Sequence, residues 1–227
     1  MFKSQADTKL TPKAEETSLA ILNTALKLFR DEGFDKATMR DIAKAAGVAT
    51  GAAYYYFPSK EAIVMEFYRR SSAEMQPQIA EVLEQARSFE ERLKGSIQVK
   101  LDYFQPNRGV LRALLRGADP KHPLSPFGEG TKEIRETDMA CFERVLADSG
   151  MRVSKDLVGE LPGLLWFFQM GVILFWVIDD SPQQTRTSTL LDVSSKLVAN
   201  LVRISSLPLM RPLRKSVLSL IHTVKGQ

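Results

Sequence analysis

The stretch that decides the fold runs from Thr38 to Lys60 and reads TMRDIAKAAGVATGAAYYYFPSK. Thr38 has the side chain of an N-cap, because its hydroxyl can accept a backbone N–H at the start of a helix. Gly47 lies where that helix must end, since a sharp turn there needs the left-handed conformation that glycine adopts without strain. The stretch therefore predicts two short helices joined by a tight turn.

The second of these helices has small residues at its start and aromatic residues at its end. Thr50 is placed to cap it, and the glycine and alanine that follow keep its first turn slim. Ala53 and Phe57 lie four residues apart and are expected to share the buried face. Consecutive helical residues point about 100° apart, so the side chains of Tyr54–Tyr56 cannot all be buried.

Two short helices around a tight turn form a helix-turn-helix, which places the N-terminal residues of its second helix in the major groove of DNA. Bulk at those positions would hold the helix away from the base edges, so the small first turn suits close approach. A tyrosine hydroxyl or the Lys60 ammonium can donate to a phosphate oxygen. The alternative is an ordinary pair of core helices, which leaves the outward tyrosines unexplained.

These residues resemble the DNA-binding motif of the tetracycline-repressor (TetR) family, especially Ala46-Gly47-Val48, Tyr54-Tyr55-Tyr56-Phe57 and Pro58-Ser59-Lys60. The similarity extends back through Ala20, Leu26, Phe29, Gly33 and Phe34 and covers about residues 15–65. It implies an all-helical, homodimeric transcription regulator whose variable C-terminal domain binds a ligand.

The resemblance also implies which residues meet DNA. Arg40 falls where several family members contact DNA, and Tyr54 and Lys60 resemble phosphate clamps. Thr50 and Ala52 offer little hydrogen bonding to base edges, which shifts base recognition toward Arg40, thymine methyl groups and DNA shape. The predicted DNA contacts are Thr38, Arg40, Thr50, Gly51, Ala52, Tyr54, Tyr55, Tyr56 and Lys60.

The helical patterns along the chain give an all-α fold class. An N-terminal three-helix helix-turn-helix domain, residues 1–58, is expected to precede a helical-bundle domain for ligand binding and dimerisation, residues 59–227. Thr11-Pro12 starts the first helix, with Leu19 in its buried stripe, and Ser88 is a candidate break between two later helices. Three prolines and three glycines in residues 117–130 forbid a long helix there, so this segment is either a lid or a connector.

Residues 161–178 are almost continuously apolar. About 18 such residues begin to suggest a membrane-spanning helix, but Pro162 and Gln169 interrupt the run and no cluster of Lys or Arg flanks it. We interpret it as the central helix of the second domain, which pairs with a last long helix over residues 187–205 in a four-helix dimer interface. Asp179-Asp180 is interpreted as its solvated end. A membrane anchor is the alternative.

The second domain is expected to hold a small hydrophobic effector between its helices. Core packing is the commoner role of apolar residues at helical spacing. Gln169 is the most informative candidate, because a buried amide needs a partner, either across the dimer axis or in a ligand. The predicted ligand contacts are Phe104, Phe127, Met139, Phe142, Trp166, Gln169 and Met170.

The composition fits a cytoplasmic protein whose N-terminal part meets phosphate. The chain carries 31 basic and 27 acidic side chains, and residues 1–70 and 203–227 are net basic. The single cysteine, Cys141, excludes an internal disulfide and is expected to be a small buried hydrophobe, and the N-terminus lacks an apolar signal segment. The sequence shows no metal-ligand spacing, nucleophile elbow, phosphate loop or dinucleotide fingerprint, so we expect no enzyme activity, cofactor or metal.

Together these patterns predict a sequence-specific DNA-binding transcriptional regulator. The expected form is a homodimeric repressor on a palindromic operator, released by a small-molecule effector. The alternative from another class is a helical protein that uses the same fold to bind a protein partner without sequence-specific DNA binding. This alternative is considered because Thr50 and Ala52 have little capacity to hydrogen-bond with base edges.

Overall fold

The computed structural model describes residues 11–114, 122–147 and 149–225, and every regular element within them is helical. The predicted all-α fold class is confirmed. Short 3₁₀ turns precede α7, α8, α10 and α11. The α-helices are α1 Pro12–Asp31, α2 Met39–Ala45, α3 Thr50–Tyr56, α4 Lys60–Glu74, α5 Gln76–Gln85, α6 Phe89–Phe104, α7 Arg108–Leu114, α8 Lys132–Leu146, α9 Leu161–Ile178, α10 Thr185–Ser205 and α11 Arg211–Lys225.

The chain divides into two compact units. The first contains the residues up to Arg70 together with Asn107–Gly128, and the second contains Ser71–Pro106 and the residues from Glu129 onward. The division falls inside α4. The functional division expected at residues 58 and 59 stays a prediction.

The first unit is built on α1. The Thr11 hydroxyl accepts the backbone N–H of Ala14 at 3.3 Å, and Pro12 occupies the first helical position, as predicted. Leu19 does not join the buried stripe: its side chain is 40% exposed, and the core-facing row begins at Ser18 instead. Leu19 lies one residue past that row, about 100° around the helix. The buried positions of α1 are Ser18, Ile21, Leu22, Ala25, Leu26 and Phe29.

Local capping divides the helices of the second unit where the sequence indicated. The Ser88 hydroxyl accepts the backbone N–H of Glu91 at 3.2 Å, so α5 and α6 are separate helices. Arg92, which the sequence did not single out, is buried and donates to the carbonyls of Leu83, Arg144 and Val145 at 2.6, 2.8 and 3.1 Å. Arg92 thereby supplies donors to the C-terminal ends of α5 and α8, whose last carbonyls have no partner within their own helix.

The apolar helix α9 begins at Leu161 and lies partly in the core of the second unit. It is long and apolar enough to cross a membrane, with a mean hydropathy of 2.0, but 44% of it is already buried in protein. Its buried side includes Trp166, Gln169 and Trp176. A helix that is apolar all round is buried in lipid or in protein, and the packed side of α9 favours protein.

Part of the predicted loop over residues 117–130 lies outside the described residues, which resume at His122. Residues 122–128 carry no helix, and a 3₁₀ turn, Glu129–Thr131, leads into α8.

The carboxylate of Asp179 is a buried cap of α10, so its interpretation as a solvated helix end was wrong. Its two oxygens accept the backbone N–H groups of Ser181 and Thr187 at 3.0 and 2.9 Å and the Thr187 hydroxyl at 2.7 Å. Burial raises the pKa of Asp179, but the hydrogen bonds from Thr187 and Ser181 outweigh it and hold the pKa well below its ordinary value. Asp180 is exposed and pairs with Arg186 at 3.5 Å.

We expect Asp179→Asn to lower the stability of the protein and to flatten its dependence on acid pH. Because the folded-state pKa is depressed, the stabilisation is fully present above the unfolded-state pKa of about 3.9 and is lost as the pH falls below it. Urea unfolding between pH 7 and pH 3 measures both effects. Asp180→Asn is the matched control and should leave the curve unchanged; equal effects of the two variants would contradict the assignment.

Candidate nucleic-acid interface

A capping box fixes the start of α2. The Thr38 hydroxyl accepts the backbone N–H of Asp41 at 3.2 Å, while the Asp41 carboxylate accepts the backbone N–H and the hydroxyl of Thr38 at 3.1 and 2.5 Å. These hydrogen bonds from Thr38 lower the pKa of Asp41. Both donors of Thr38 are therefore used inside the protein, which leaves none for a phosphate. In this structure Thr38 orients α2, and its contact with DNA stays a prediction.

The turn between α2 and α3 has the geometry predicted from Gly47. Gly47 adopts a φ of +68°, its backbone N–H bonds to the carbonyl of Lys44 at 3.2 Å, and the N–H of Val48 bonds to the carbonyl of Ala43 at 3.0 Å. This pair of bonds is the Schellman motif, which satisfies two of the carbonyls at the end of a helix. The turn fixes where α3 starts.

The N-cap of α3 is Ala49, so the prediction that Thr50 caps this helix was wrong by one residue. The Ala49 side chain has no oxygen to cap with, and its carbonyl accepts the N–H groups of Ala52 and Ala53 at 2.9 and 3.1 Å. Thr50 is the first helical residue and is exposed. Its hydroxyl thus lies on the outer side of the first turn.

The two faces of α3 separate as the sequence predicted. Ala53 and Phe57 are buried, while Gly51 is exposed and Ala52 is half-buried. The remaining positions are aromatic: the Tyr54 and Tyr55 side chains are 51% and 70% exposed, and Tyr56 is half-buried with its ring 5.3 Å from that of Tyr55. The exposed face of α3 therefore combines a first turn almost free of side-chain bulk with phenol groups beyond it.

Lys60 points to the protein and not outward. Its ammonium donates to the carbonyls of Phe34, Asp35 and Ala37 at 2.7, 3.3 and 3.4 Å, and it lies 4.4 Å from the centre of the Phe34 ring. An ammonium has three donors, and here each has a carbonyl partner in the segment between α1 and α2. The geometry therefore supports a structural role in which the Lys60 ammonium holds the segment between α1 and α2 in place. The phosphate contact of Lys60 stays a prediction.

The other basic side chain predicted at DNA, Arg40, is the second residue of α2 and is exposed. A guanidinium carries five donors in a rigid fork, which suits either a guanine edge or a phosphate. Its position on α2, outside the capping box, leaves it on the solvent side of the unit.

The predicted ligand contacts are divided between the two units. Phe127 belongs to the first unit, and the other six belong to the second. Phe142, Trp166 and Gln169 are buried, and Phe104, Met139 and Met170 are half-buried. Contacts recorded for this group join α6, α8 and α9: Gln169 bonds to Asp138 at 2.9 Å, and the Lys100 ammonium lies 6.0 Å from the Phe142 ring.

Lys100 and Asp138 were not predicted as site residues, because charged residues on helices are normally solvated. The one feature of the sequence that pointed to a polar contact here was Gln169, an amide within an apolar helix that needs a hydrogen-bond partner. Cys141 is buried as expected, and burial raises the pKa of its thiol. Within the part of the chain that the structure describes, no group of three or more His, Cys, Asp or Glu side chains is placed to hold a metal ion.

Two family models match the chain. That of bacterial regulatory proteins of the tetR family matches residues 21–67, which contain the helix-turn-helix. A model of tetracyclin repressor-like C-terminal domains matches residues 92–218.

Similar proteins are transcription regulators. The chain is 35% identical over 154 residues to the HTH-type transcriptional repressor KstR2 of Mycolicibacterium smegmatis, covering 66% of this chain and 74% of KstR2. It is 43% identical over 51 residues to the HTH-type regulator YuxN of Bacillus subtilis, 22% of this chain and 18% of YuxN. For YuxN and two further regulators, the chain spans less than half of their own length.

A solved structure shows the same fold. FadR of Bacillus subtilis, in complex with stearoyl-CoA, aligns with a TM-score of 0.61 at 19% identity, covering 83% of this chain and 98% of FadR.

We expect Lys60→Met to lower the free energy of unfolding by about 1–3 kcal/mol, because carbonyls of the α1–α2 segment lose their donor. Lys44→Met, at an exposed lysine on α2, is the control and should unfold like the unmodified protein. Urea unfolding measures the difference.

The same Lys60 variant distinguishes the structural role of Lys60 from a contact with DNA phosphate. Loss of one phosphate contact reduces the slope of log affinity against log salt by about 0.9. A purely structural role predicts weaker DNA binding with an unchanged slope of log affinity against log salt. An unchanged stability together with a reduced slope would show that Lys60 binds phosphate.

We expect Gly51→Ala to weaken DNA binding without destabilising the protein. A Cβ at Gly51 meets no atom within 4 Å and the glycine has no left-handed φ, so alanine should raise the stability by up to about 1 kcal/mol. On DNA the added methyl overpacks a close contact, and we expect a loss of at least about fivefold in affinity.

Gly109 provides a matched control for Gly51. It is the second residue of α7 as Gly51 is of α3, and a Cβ there also meets nothing within 4 Å. Gly109→Ala should keep the affinity for DNA. If Gly51→Ala binds DNA as tightly as Gly109→Ala does, α3 does not approach DNA through its first turn.

Proposed function

The chain belongs to the TetR family of helix-turn-helix transcription regulators, and we propose that it is a homodimeric repressor. It binds a palindromic operator and leaves it when a small molecule binds the second unit. The observation that carries this proposal is the exposed, slim first turn of α3, fixed by the left-handed turn at Gly47 and followed by outward phenol groups.

The first turn of α3 supports direct entry into the major groove. Thr50 and Gly51 are exposed, and Ala52 is half-buried beside them, so the backbone of this turn can approach base edges. Methyl groups of Thr50 and Ala52 can contact thymine methyls. With one hydroxyl for hydrogen bonding, this turn reads few bases directly, and sequence-dependent DNA shape carries the rest of the preference.

The exposed side chains around this turn divide into two roles. Tyr54 and Tyr55 present hydroxyl donors that suit phosphate oxygens, which position the protein without reading sequence. Tyr56 supports them through its edge-on contact with the Tyr55 ring. Arg40 is the exposed guanidinium on α2, and a bidentate contact with guanine is the commonest base-specific contact. We assign base preference to Arg40.

Two exposed apolar stripes in the second unit support the homodimer. On α9 the stripe contains Phe167, Leu174 and Ile178, and on α10 it contains Val193, Leu197 and Leu201, each at helical spacing and each at least 40% exposed. An apolar surface of this kind marks an interface. Pairing the two helices with their copies about a two-fold axis buries both stripes in a four-helix bundle. The two DNA-binding units then face the half-sites of a palindrome.

The effector assignment follows from the second unit. A core of buried aromatic residues that also contains polar side chains has the character of a ligand site. Release from the operator requires that the effector bind the two conformations of the dimer with different affinity. With its buried α9 side and no cofactor-binding motif in its sequence, the protein is best assigned as a cytoplasmic regulator and not as an enzyme.

We test the function by selecting bound duplexes from a random DNA pool at a stated salt concentration. A palindromic consensus is the expected result, because two copies of α3 read two half-sites. No enrichment above background would overturn the proposal and favour a partner-binding role for the same fold.

The selected consensus then separates base reading from phosphate contact. Arg40→Ala should cost about 1–3 kcal/mol on the consensus and relax the preference at one position in each half-site. Tyr54→Phe removes a hydroxyl donor and should weaken binding to all duplexes alike. A selectivity that is uniform in both variants would exclude Arg40 as a base-reading residue.

A further inference from the structure

Three polar side chains meet inside the second unit, one from each of three helices. The Lys100 ammonium of α6 donates to one oxygen of the Asp138 carboxylate of α8 at 2.6 Å, and the Gln169 amide of α9 donates to the other at 2.9 Å. Lys100 and Gln169 are 4% and 1% exposed. We call these three residues the polar trio.

One atom of the polar trio has no hydrogen-bond partner. The side-chain oxygen of Gln169 is fully buried and meets no donor in the described part of the chain. Exchanging the oxygen and nitrogen of this amide does not remove the problem, because the oxygen would then face the Asp138 carboxylate, which can only accept when it is ionised. The bond to Asp138 therefore fixes which amide atom lacks a partner.

The other buried side-chain atom without a partner, the Ser195 hydroxyl, differs in kind. A serine hydroxyl rotates and can share a carbonyl of the preceding turn of its own helix. An amide oxygen is an acceptor only, and its acceptor capacity needs a donor from elsewhere. An unmet buried acceptor loses its hydrogen bonds to water without replacement, so the Gln169 oxygen marks a place where a donor is required.

The surroundings of the polar trio are apolar. Phe142 lies 6.0 Å from the Lys100 ammonium, and Trp166, one helical turn before Gln169, is buried. Met139 is next to Asp138 on α8, and its sulfur lies 4.0 Å from the position of a Cβ on Gly163 of α9. The residues that pack around the polar trio are therefore aromatic and thioether side chains.

The charges of the polar trio restrict that group further. Lys100 and Asp138 neutralise each other at 2.6 Å, so neither charge is available to balance a charged ligand. A carboxylate has no hydrogen to donate to the Gln169 oxygen, and an ammonium would bring an unbalanced positive charge to the polar trio. Burying an unbalanced charge is far more costly than burying a hydrogen-bonded neutral group.

We propose that the polar trio is the part of the effector site that recognises a neutral hydroxyl or N–H donor on an otherwise apolar molecule, through the side-chain oxygen of Gln169. The donor completes the hydrogen bonding of the amide, and Lys100 and Asp138 hold the amide in place. This assignment rests on the proposed function for its regulatory meaning, but the chemistry of binding does not require DNA.

The test uses three small probes of similar size on the full chain without DNA: phenol, anisole and benzoate. Phenol carries a neutral donor, anisole has lost the donor, and benzoate carries a negative charge. The reporter is the side-chain amide signal of Gln169 in ¹H–¹⁵N spectra, assigned by its absence in Gln169→Met. Phenol should shift this signal saturably and bind about tenfold more tightly than either other probe, the value of one buried hydrogen bond.

Variants check that the amide itself is the binding group. Gln169→Met keeps the length of the side chain and should weaken phenol binding about tenfold. Gln85→Met is the matched control, since Gln85 makes the same kind of amide–carboxylate bond to Glu81 at 3.0 Å on the surface of α5, and it should leave phenol binding unchanged.

Several outcomes would overturn the proposal. They are no shift of the Gln169 signal with phenol up to its solubility limit, equal binding of anisole, or tighter binding of benzoate. The probe comparison on the unmodified chain decides the matter if Gln169→Met does not fold. A failed operator selection together with a phenol-specific shift would remove the proposed function and leave this site standing; the reverse pair of results would remove the site alone.

Discussion

The left-handed turn at Gly47 is the constraint on which the whole DNA-binding surface depends. Its φ of +68° is open to glycine and strained for other residues. A Cβ at this position would meet no neighbouring atom within 4 Å, so the requirement comes from the backbone and not from crowding. The turn ends α2 with two hydrogen bonds, and α3 follows from the N-cap Ala49 without a side-chain cap. The absence of a polar cap leaves the Thr50 hydroxyl on the outer face of the helix.

Polar groups of the first unit that bond within the protein hold the segments on both sides of this turn in place. The capping box of Thr38 and Asp41 fixes one end of α2, and the ammonium of Lys60 binds the carbonyls of the segment before it. Both residues carry the chemical groups that bind phosphate in other settings. Here their donors have internal partners, and for this reason we propose Arg40 and the tyrosines of α3 as the main contacts with DNA. Preorganisation of α3 and contact with DNA are thus divided between different residues.

Signals that act within one helical turn made much of this fold predictable from sequence. The N-caps at Thr11, Thr38 and Ser88 and the glycine at the end of α2 each depend on neighbours three to five residues away. Contacts whose partner lies further along the chain were not predicted. The carbonyls that bind Lys60 lie 23 to 26 residues before it, and no periodic pattern predicts such a contact.

The candidate ligand site also combines a feature that the sequence predicts with contacts that it does not predict. Sequence spacing placed Gln169 inside α9, but its partner Asp138 lies 31 residues away and Lys100 a further 38. The resemblance of the N-terminal motif to the TetR family gave the architecture of the second unit only in outline. Its charged interior residues became visible only when α6, α8 and α9 were packed together.

The buried polar side chains of the second unit fall into two groups. In one group the hydrogen-bonding atoms have partners within the chain, and in the other a buried donor or acceptor has none. Arg92 has all its recorded donors on backbone carbonyls, and the Asp179 carboxylate receives donors at both oxygens. Arg92 and Asp179 pair the free backbone groups at the ends of helices, so their role is structural. Gln169 differs because its donor is used by Asp138 while its buried acceptor is not matched.

A side chain that only stabilised the packing of α9 against α8 would not need that acceptor, since an apolar residue of similar volume avoids its desolvation. The unmatched oxygen is therefore informative in a way that the aromatic residues around it are not: aromatic side chains fill space in any core, whereas a fixed acceptor specifies the chemistry of whatever meets it.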